Sequence, residues 1–245
     1  METYFNIRYE FDKDQVYSQI DKRLSQSGSD YICVADGNIT ANVHNVNEYR
    51  DIVNSGIFSI CDGSWTPILL KIIYGIKRDS YSGSQIFHDI INSRKYSIAF
   101  LGGSKEALIG LKDYISSLGY QMDKTFFMDL PFCKPNEFDF KSIAEELKDK
   151  FDIIFIGLGA PKQEIFMHHL KPYLKHGVMI GVGAVFNFYG GSSVNRAPKW
   201  MRNLHLEFLH RLFSEPQKQL PKFTNYLRTI AKVIYQEFKL KNNKL

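Results

Sequence analysis

No stretch of this chain stays apolar for the roughly 18 residues that a membrane-spanning helix needs. The amino-terminal "METYFNIRYEFDKDQ" also lacks the basic-then-apolar plan of a secretory signal. The sequence therefore predicts a cytoplasmic protein that does not cross a membrane. Cysteine is scarce. Cys33, Cys61 and Cys133 show no CxxC spacing and lie in or beside apolar runs, which favours reduced thiols over disulfides or metal ligands. The histidines form no HExxH or HxH pattern, and His168 and His169 are adjacent, so on a helix they diverge. The "DKD" at Asp12 and Asp14 follows no glycine turn and reads as a solvated face, so no metal site and no cofactor is expected. There is no GxSxG elbow, P-loop or complete GxGxxG fingerprint. Helix-turn-helix, zinc and RNA-binding signatures are absent too, which argues against nucleic acid as a partner.

What is present is a chain of 245 residues with 44% hydrophobic content, long enough to bury a full core. Its net charge of +5 is unevenly spread. From Arg196 onward there are 11 Lys and Arg against 3 Asp and Glu, whereas residues 1–195 carry 20 against 23. Five apolar, β-rich runs, "YICVAD", "FSICDG", "YSIAFLGG", "DIIFIGLG" and "GVMIGVGAVF", each end in small or polar residues and precede a helical pattern. Such alternation predicts an α/β fold, a Rossmann-like and mostly parallel sheet flanked by helices. After "FLGG", Ser104 is placed to cap a helix carrying Leu108, Leu111, Ile115 and Leu118 on one face, with Gly119 as its stop. Alternation ends after "YGGSSVNRAPKW". The domain reading is an α/β body over 1–195 and a basic, helical appendage over 196–245. In the appendage Phe223, Leu227, Ile230, Ile234 and Phe238 share one face, roughly opposite Arg228, Lys232 and Lys239.

Ligands of such sheets collect at the carboxyl ends of the strands, where the glycine turns fall. Asp62, ending "ICDG", could be a general base or could cap the next helix. Thr40 and Asn42 in "NITANVHN" could bind a sugar or form an ordinary turn. In "GAPKQE", Pro161 and Glu164 suit a helix start, and Gln163 could read a sugar or base edge through its paired donor and acceptor. "GVGAVF" allows either close backbone approach or tight strand-to-helix packing.

Taken together, "TAN" at 40–42, "DG" at 62–63, "LGG" at 101–103, "GLGAPKQE" at 157–164, "GVGAVF" at 181–186, "RAP" at 196–198 and "LEFLHRLFSEP" at 206–216 resemble the WecG/TagA/CpsF glycosyltransferases, glycosyltransferase family 26. The resemblance runs from about Tyr31 to Phe223. It implies an inverting, metal-independent enzyme. Such an enzyme moves a sugar of the N-acetylmannosamine or uronic acid type from UDP to a polyprenyl-diphosphate-linked saccharide at the inner face of the plasma membrane. It implies Asp62 as general base, with Thr40 and Asn42 orienting the sugars. Gly102, Gly103, Gln163, Glu164, Gly181, Gly183 and Phe186 would then line the donor site. Arg196 and Arg211 are the candidates to neutralise the diphosphate, since guanidinium binds phosphate in bidentate fashion. The appendage could also lie on an anionic leaflet, or its apolar face could pack on the body or on a second copy.

This chain departs from the family pattern in the appendage. Phe208, His210 and Phe223 stand for aromatic residues of another kind, and Lys218 and Lys222 stand for arginines, which keeps charge but loses the bidentate fork. A dinucleotide-dependent oxidoreductase is the runner-up, although Lys162 occupies the position of its third glycine. A noncatalytic module of a polysaccharide-assembly complex is the third reading.

Overall fold

The structure, a computed structural model, describes residues 1–63, 65–191 and 216–242. Each run singled out by its alternation forms a strand: β3 (Asp30–Ala35), β4 (Phe58–Cys61), β5 (Ile98–Gly102), β7 (Ile153–Gly157) and β8 (Val178–Gly181). Three further strands carry weaker signals. The hairpin of β1 (Glu2–Tyr4) and β2 (Ile7–Tyr9) and the short edge strand β6 (Thr125–Met128) complete an eight-stranded sheet. Its order is β1-β2-β4-β3-β8-β7-β5-β6, parallel except between β1 and β2.

Because successive side chains of a strand point to opposite faces, each central strand feeds two cores. Ile32, Val34, Phe100, Phe155 and Ile180 face one layer with α1 (Lys13–Leu24), α5 (Gly83–Ser93), α6 (Lys105–Ser117) and α9 (Val185–Tyr189). Cys33, Ala35, Leu101, Ile156 and Met179 face the other, with α2 (Gly37–Asn45), α3 (Asn47–Ser55), α7 (Phe140–Leu147) and α8 (Lys162–Leu170). Local chemistry starts these helices. Asp12 accepts from the Asp14 and Gln15 amides at the head of α1, Ser82 and Gln85 form a capping box on α5, and Ser104 accepts from the Ala107 amide on α6. The exposed Asp12 is thus a helix cap. Cys33 and Cys61 are buried, Cys133 partly so, and all three are free thiols.

The appendage contributes α10 (Pro216–Asn242), which packs on α2 and on α4 (Trp65–Tyr74). Its buried face differs from the apolar stripe expected. Thr229, Val233 and Glu237 are buried and Ile230 and Ile234 partly covered, while Leu227 and Phe238 stay exposed. The reason is polar matching. Asn45 donates to Asn225 at 3.2 Å and to the Thr229 hydroxyl at 2.9 Å, and His44 pairs with Gln236 at 3.0 Å. Glu237 accepts from the Phe5 amide at 2.8 Å and from the Tyr74 hydroxyl. A buried carboxylate must keep such partners, and they turn the helix toward them. None of its described residues forms a span long and apolar enough to cross a membrane, nor does any other described helix.

Candidate active site at the carboxyl edge of the sheet

From β5 the chain continues outward to β6, whereas from β7 it turns back to β8, so the connections diverge between β5 and β7. Ligands of open α/β sheets bind at such a point. Gly102 and Gly157 stand in register there, ending the two strands side by side. Gly102 and Gly103 take φ of +91° and +82°, a left-handed turn that suits glycine. A side chain at Gly157 would fall 2.5 Å from the Phe186 ring. Phe186 is therefore a buried plug beneath the "LGG" and "GLG" turns, and it belongs to the core on that face. Gly183 completes the edge, its amide donating to the Ile156 carbonyl at 3.3 Å, with Gly181 ending β8 beside it.

Gln163 and Glu164 open α8 and turn inward, at 4% and 0% exposure. Gln163 Oε1 accepts from the Gly159 amide at 3.1 Å, and its Nε2 donates to the Gly181 carbonyl at 3.2 Å and to Glu164 at 2.8 Å. One amide thus ties the β7 and β8 turns together. Glu164 also accepts from the Tyr49 hydroxyl at 2.9 Å. Burial pushes its carboxyl up to about 7, against the hydrogen bonds from Gln163 and Tyr49, which favour the charged form. Burial likewise drives the Tyr49 phenol upward.

Asp62 follows β4 directly, half-buried, its amide donating to the Ala35 carbonyl at 3.0 Å. Ala35 and Cys61 are register partners, so Asp36 and Asp62 leave neighbouring strands together. Asp36 caps α2 through the Ile39 amide at 2.9 Å, and Asn38 lies in the first turn of that helix. Sequence reading passed over Asp36, yet the signal was present. "VADG" repeats the apolar-strand, Asp-Gly pattern of "ICDG".

Thr40 and Asn42 do not form a turn but lie within α2. Thr40 is buried, bonded back to the Asp36 carbonyl at 3.0 Å, and Asn42 accepts from Asn225 of α10 at 3.3 Å. The edge therefore gathers Asp62, Asp36 and the glycine turns at 102–103, 157–159 and 181–183, with Gln163 and Glu164 bracing them from behind. Arg196 and Arg211 lie outside the described residues. Among the described residues no three His, Cys, Asp or Glu side chains converge as a metal cluster would.

The model of the glycosyl transferase WecG/TagA/CpsF family matches residues 3–243. The chain belongs to that family. Membership of the WecG/TagA/CpsF transferases sets aside the oxidoreductase reading of the glycine turns. Among relatives, an N-acetylglucosaminyldiphosphoundecaprenol N-acetyl-beta-D-mannosaminyltransferase of Bacillus subtilis (strain 168) is 27% identical, covering 76% of this chain and 72% of its own. The protein of the same name from Bacillus spizizenii (strain ATCC 23059 / NRRL B-14472 / W23) is 23% identical, covering 82% and 79%.

Proposed function

We propose that this WecG/TagA/CpsF transferase moves an N-acetylmannosamine-type sugar from a UDP donor to a polyprenyl-diphosphate-linked saccharide at the inner face of the plasma membrane, with inversion and without a metal. The observation that carries the reading is Asp62, a carboxylate on the strand edge where the glycine turns meet, in a chain matched by the family from end to end. Asp62 takes the proton from the acceptor hydroxyl as that oxygen attacks the anomeric carbon opposite the departing UDP. The relatives' names specify a β-linked product, the anomer that a single displacement would give from an α-linked sugar diphosphate. Backbone amides of the glycine turn at Gly102 and Gly103 meet the donor's phosphates. Arg196 and Arg211 supply the positive charge that a metal would otherwise provide. Gln163 and Glu164 support the donor site chiefly by fixing the turns on either side of it.

Asp62→Asn tests the assignment. Transfer should fall by about 10² to 10⁴-fold, the usual worth of a general base, while UDP-sugar affinity by calorimetry stays within about threefold. Near-normal turnover would remove Asp62 from the chemistry and leave a noncatalytic module as the better reading. Joint loss of folding and binding would make Asp62 a helix cap. Donor binding that disappears with EDTA would refute metal independence.

A further inference from the structure

The polar residues of α2 divide into those that folding uses and those that it does not. Thr40 bonds back to the Asp36 carbonyl, and Asn42 accepts from Asn225 of α10, so both are committed to holding the body and the appendage together. Asp36 spends one carboxylate oxygen on the Ile39 amide at 2.9 Å, and its other oxygen accepts nothing from the described residues. Asn38 is partly covered, and its side-chain amide makes no hydrogen bond with the described residues. A surface asparagine of this kind is ordinary, and water satisfies it. What sets Asn38 apart is its place.

The strand order β4-β3-β8-β7-β5 fixes that place. Asp62 follows β4 and the Gly102–Gly103 turn ends β5, so Asp36 and Asn38, which follow β3, stand on the side of Asp62 that faces the turn. Besides burial, the charge of Asp36 helps to raise the Glu164 carboxyl, which puts Asp36 within electrostatic reach of α8 too. Room is left between these groups. A side chain added at Gly63 or at Gly159 would meet no described atom within 4 Å. With the acceptor oxygen at Asp62 and the diphosphate at Gly102 and Gly103, the anomeric carbon has to lie between them. The substituent on the neighbouring carbon, C2, is then the part of the donor sugar best placed to meet the head of α2. An acetamido group there offers a carbonyl, which needs a donor. The asparagine amide has one and a carboxylate has none, whereas a carboxylate is the better acceptor for a hydroxyl.

We propose that Asn38 sets the donor-sugar preference of this enzyme, its Nδ2 donating to the carbonyl of an acetamido group on C2 while the open oxygen of Asp36 accepts from a ring hydroxyl beside it. The inference rests on the transferase reading and deepens it, since it moves recognition of the sugar from the "TAN" residues to the head of α2.

Calorimetry on the full chain with UDP, UDP-mannose and UDP-N-acetylmannosamine tests it, because the two sugars differ only at C2. The wild type should bind the acetamido sugar tighter by about tenfold or more. Asn38→Ala should bring the two sugars within about threefold of one another and leave UDP affinity within about threefold of the wild type. Its thermal midpoint should not move, since the side chain holds nothing in the fold. Asn38→Asp keeps the shape and has no donor, so it should lose the preference as well. A preference that survives in either variant would overturn the proposal, and so would equal binding of the two sugars by the wild type. A preference kept in Asn38→Ala but lost in Asn42→Ala would return the role to the "TAN" residues. If Asn38→Ala lowers the thermal midpoint and UDP affinity together, Asn38 is a structural residue and the proposal fails. UDP that binds without any discrimination between the sugars sinks the proposal alone, whereas UDP that does not bind the wild type at all sinks the UDP-donor reading and the proposal with it.

Discussion

Replacing Glu164 with glutamine should change how stability depends on pH, and the structure sets both sign and size. Glu164 is fully buried, and its carboxyl is pushed from an ordinary 4.5 up to about 7. A raised folded-state value means that the native protein holds this proton more tightly than the unfolded chain. Its stabilising share is therefore complete below about 4.5 and is lost as pH rises through about 7. At about 1.4 kcal/mol per pH unit of displacement, the whole effect is about 3 kcal/mol, of which about 2 to 3 kcal/mol falls between pH 5 and pH 8. Glutamine copies the shape of the protonated acid, can accept from Gln163 with its oxygen and can donate to the Tyr49 oxygen. Urea unfolding of both proteins at pH 5, 6, 7 and 8 gives the difference directly. The histidines His44 and His168, held low by burial, act in the opposite sense, losing stability as pH falls, and cancel because both proteins contain them. The Glu164→Gln protein should gain on the wild type by about 2 to 3 kcal/mol between the two ends. A difference that stays flat across the range would show that Glu164 remains ionised, and the burial argument would fail.

Gln163→Ala strands the Gly159 amide, the Gly181 carbonyl and one oxygen of Glu164, so it should cost about 1 to 3 kcal/mol in urea unfolding and weaken UDP-sugar binding in parallel. Unaltered stability would show that water replaces the amide. Gly110→Ala would put a methyl group 2.0 Å from the Gly190 carbonyl oxygen where α6 meets α9, and should destabilise by about 1 to 3 kcal/mol or more. A thermal midpoint equal to that of the wild type would contradict that contact. Glu237→Ala removes the acceptor for the Phe5 amide and the Tyr74 hydroxyl, and should loosen α10, read as faster amide exchange along 229–237 and at Phe5. Exchange confined to wild-type rates would mean that α10 is held by Val233 and the α2 contacts without it.

The elements most legible in the sequence were those whose evidence is local. β3, β4, β5, β7 and β8 each announce themselves as an apolar run ending in a small residue, and Ser104 with Gly119 brackets α6 as expected. The β1–β2 hairpin was not legible, because its turn uses Phe5 and Asn6 at φ of 55° and 59° where a glycine would be the usual signal. Phe5 is held in that conformation by burial and by Glu237, 232 residues away. Asp62 was legible as a site candidate, whereas Asp36 became one only when the register of Ala35 with Cys61 placed the two strand ends together.

By itself the sequence determined the α/β class, the glycine turns that line one edge and membership of the transferase family, since periodicity and motif order are properties of neighbouring residues. Tertiary structure alone decided what the polar residues do. "PKQE" has the same composition whether Gln163 faces a ligand or the interior; it faces inward because Tyr49, 115 residues before Glu164, and the Gly181 carbonyl supply partners there. In α10 the rows at 229–237 and at 227–238 compete for the body, and the polar partners on α2, the hairpin and Tyr74 choose the first. Apolar burial is nearly indifferent to direction, but a buried hydrogen bond has to be met at a particular point in space, and that point is set by distant parts of the chain.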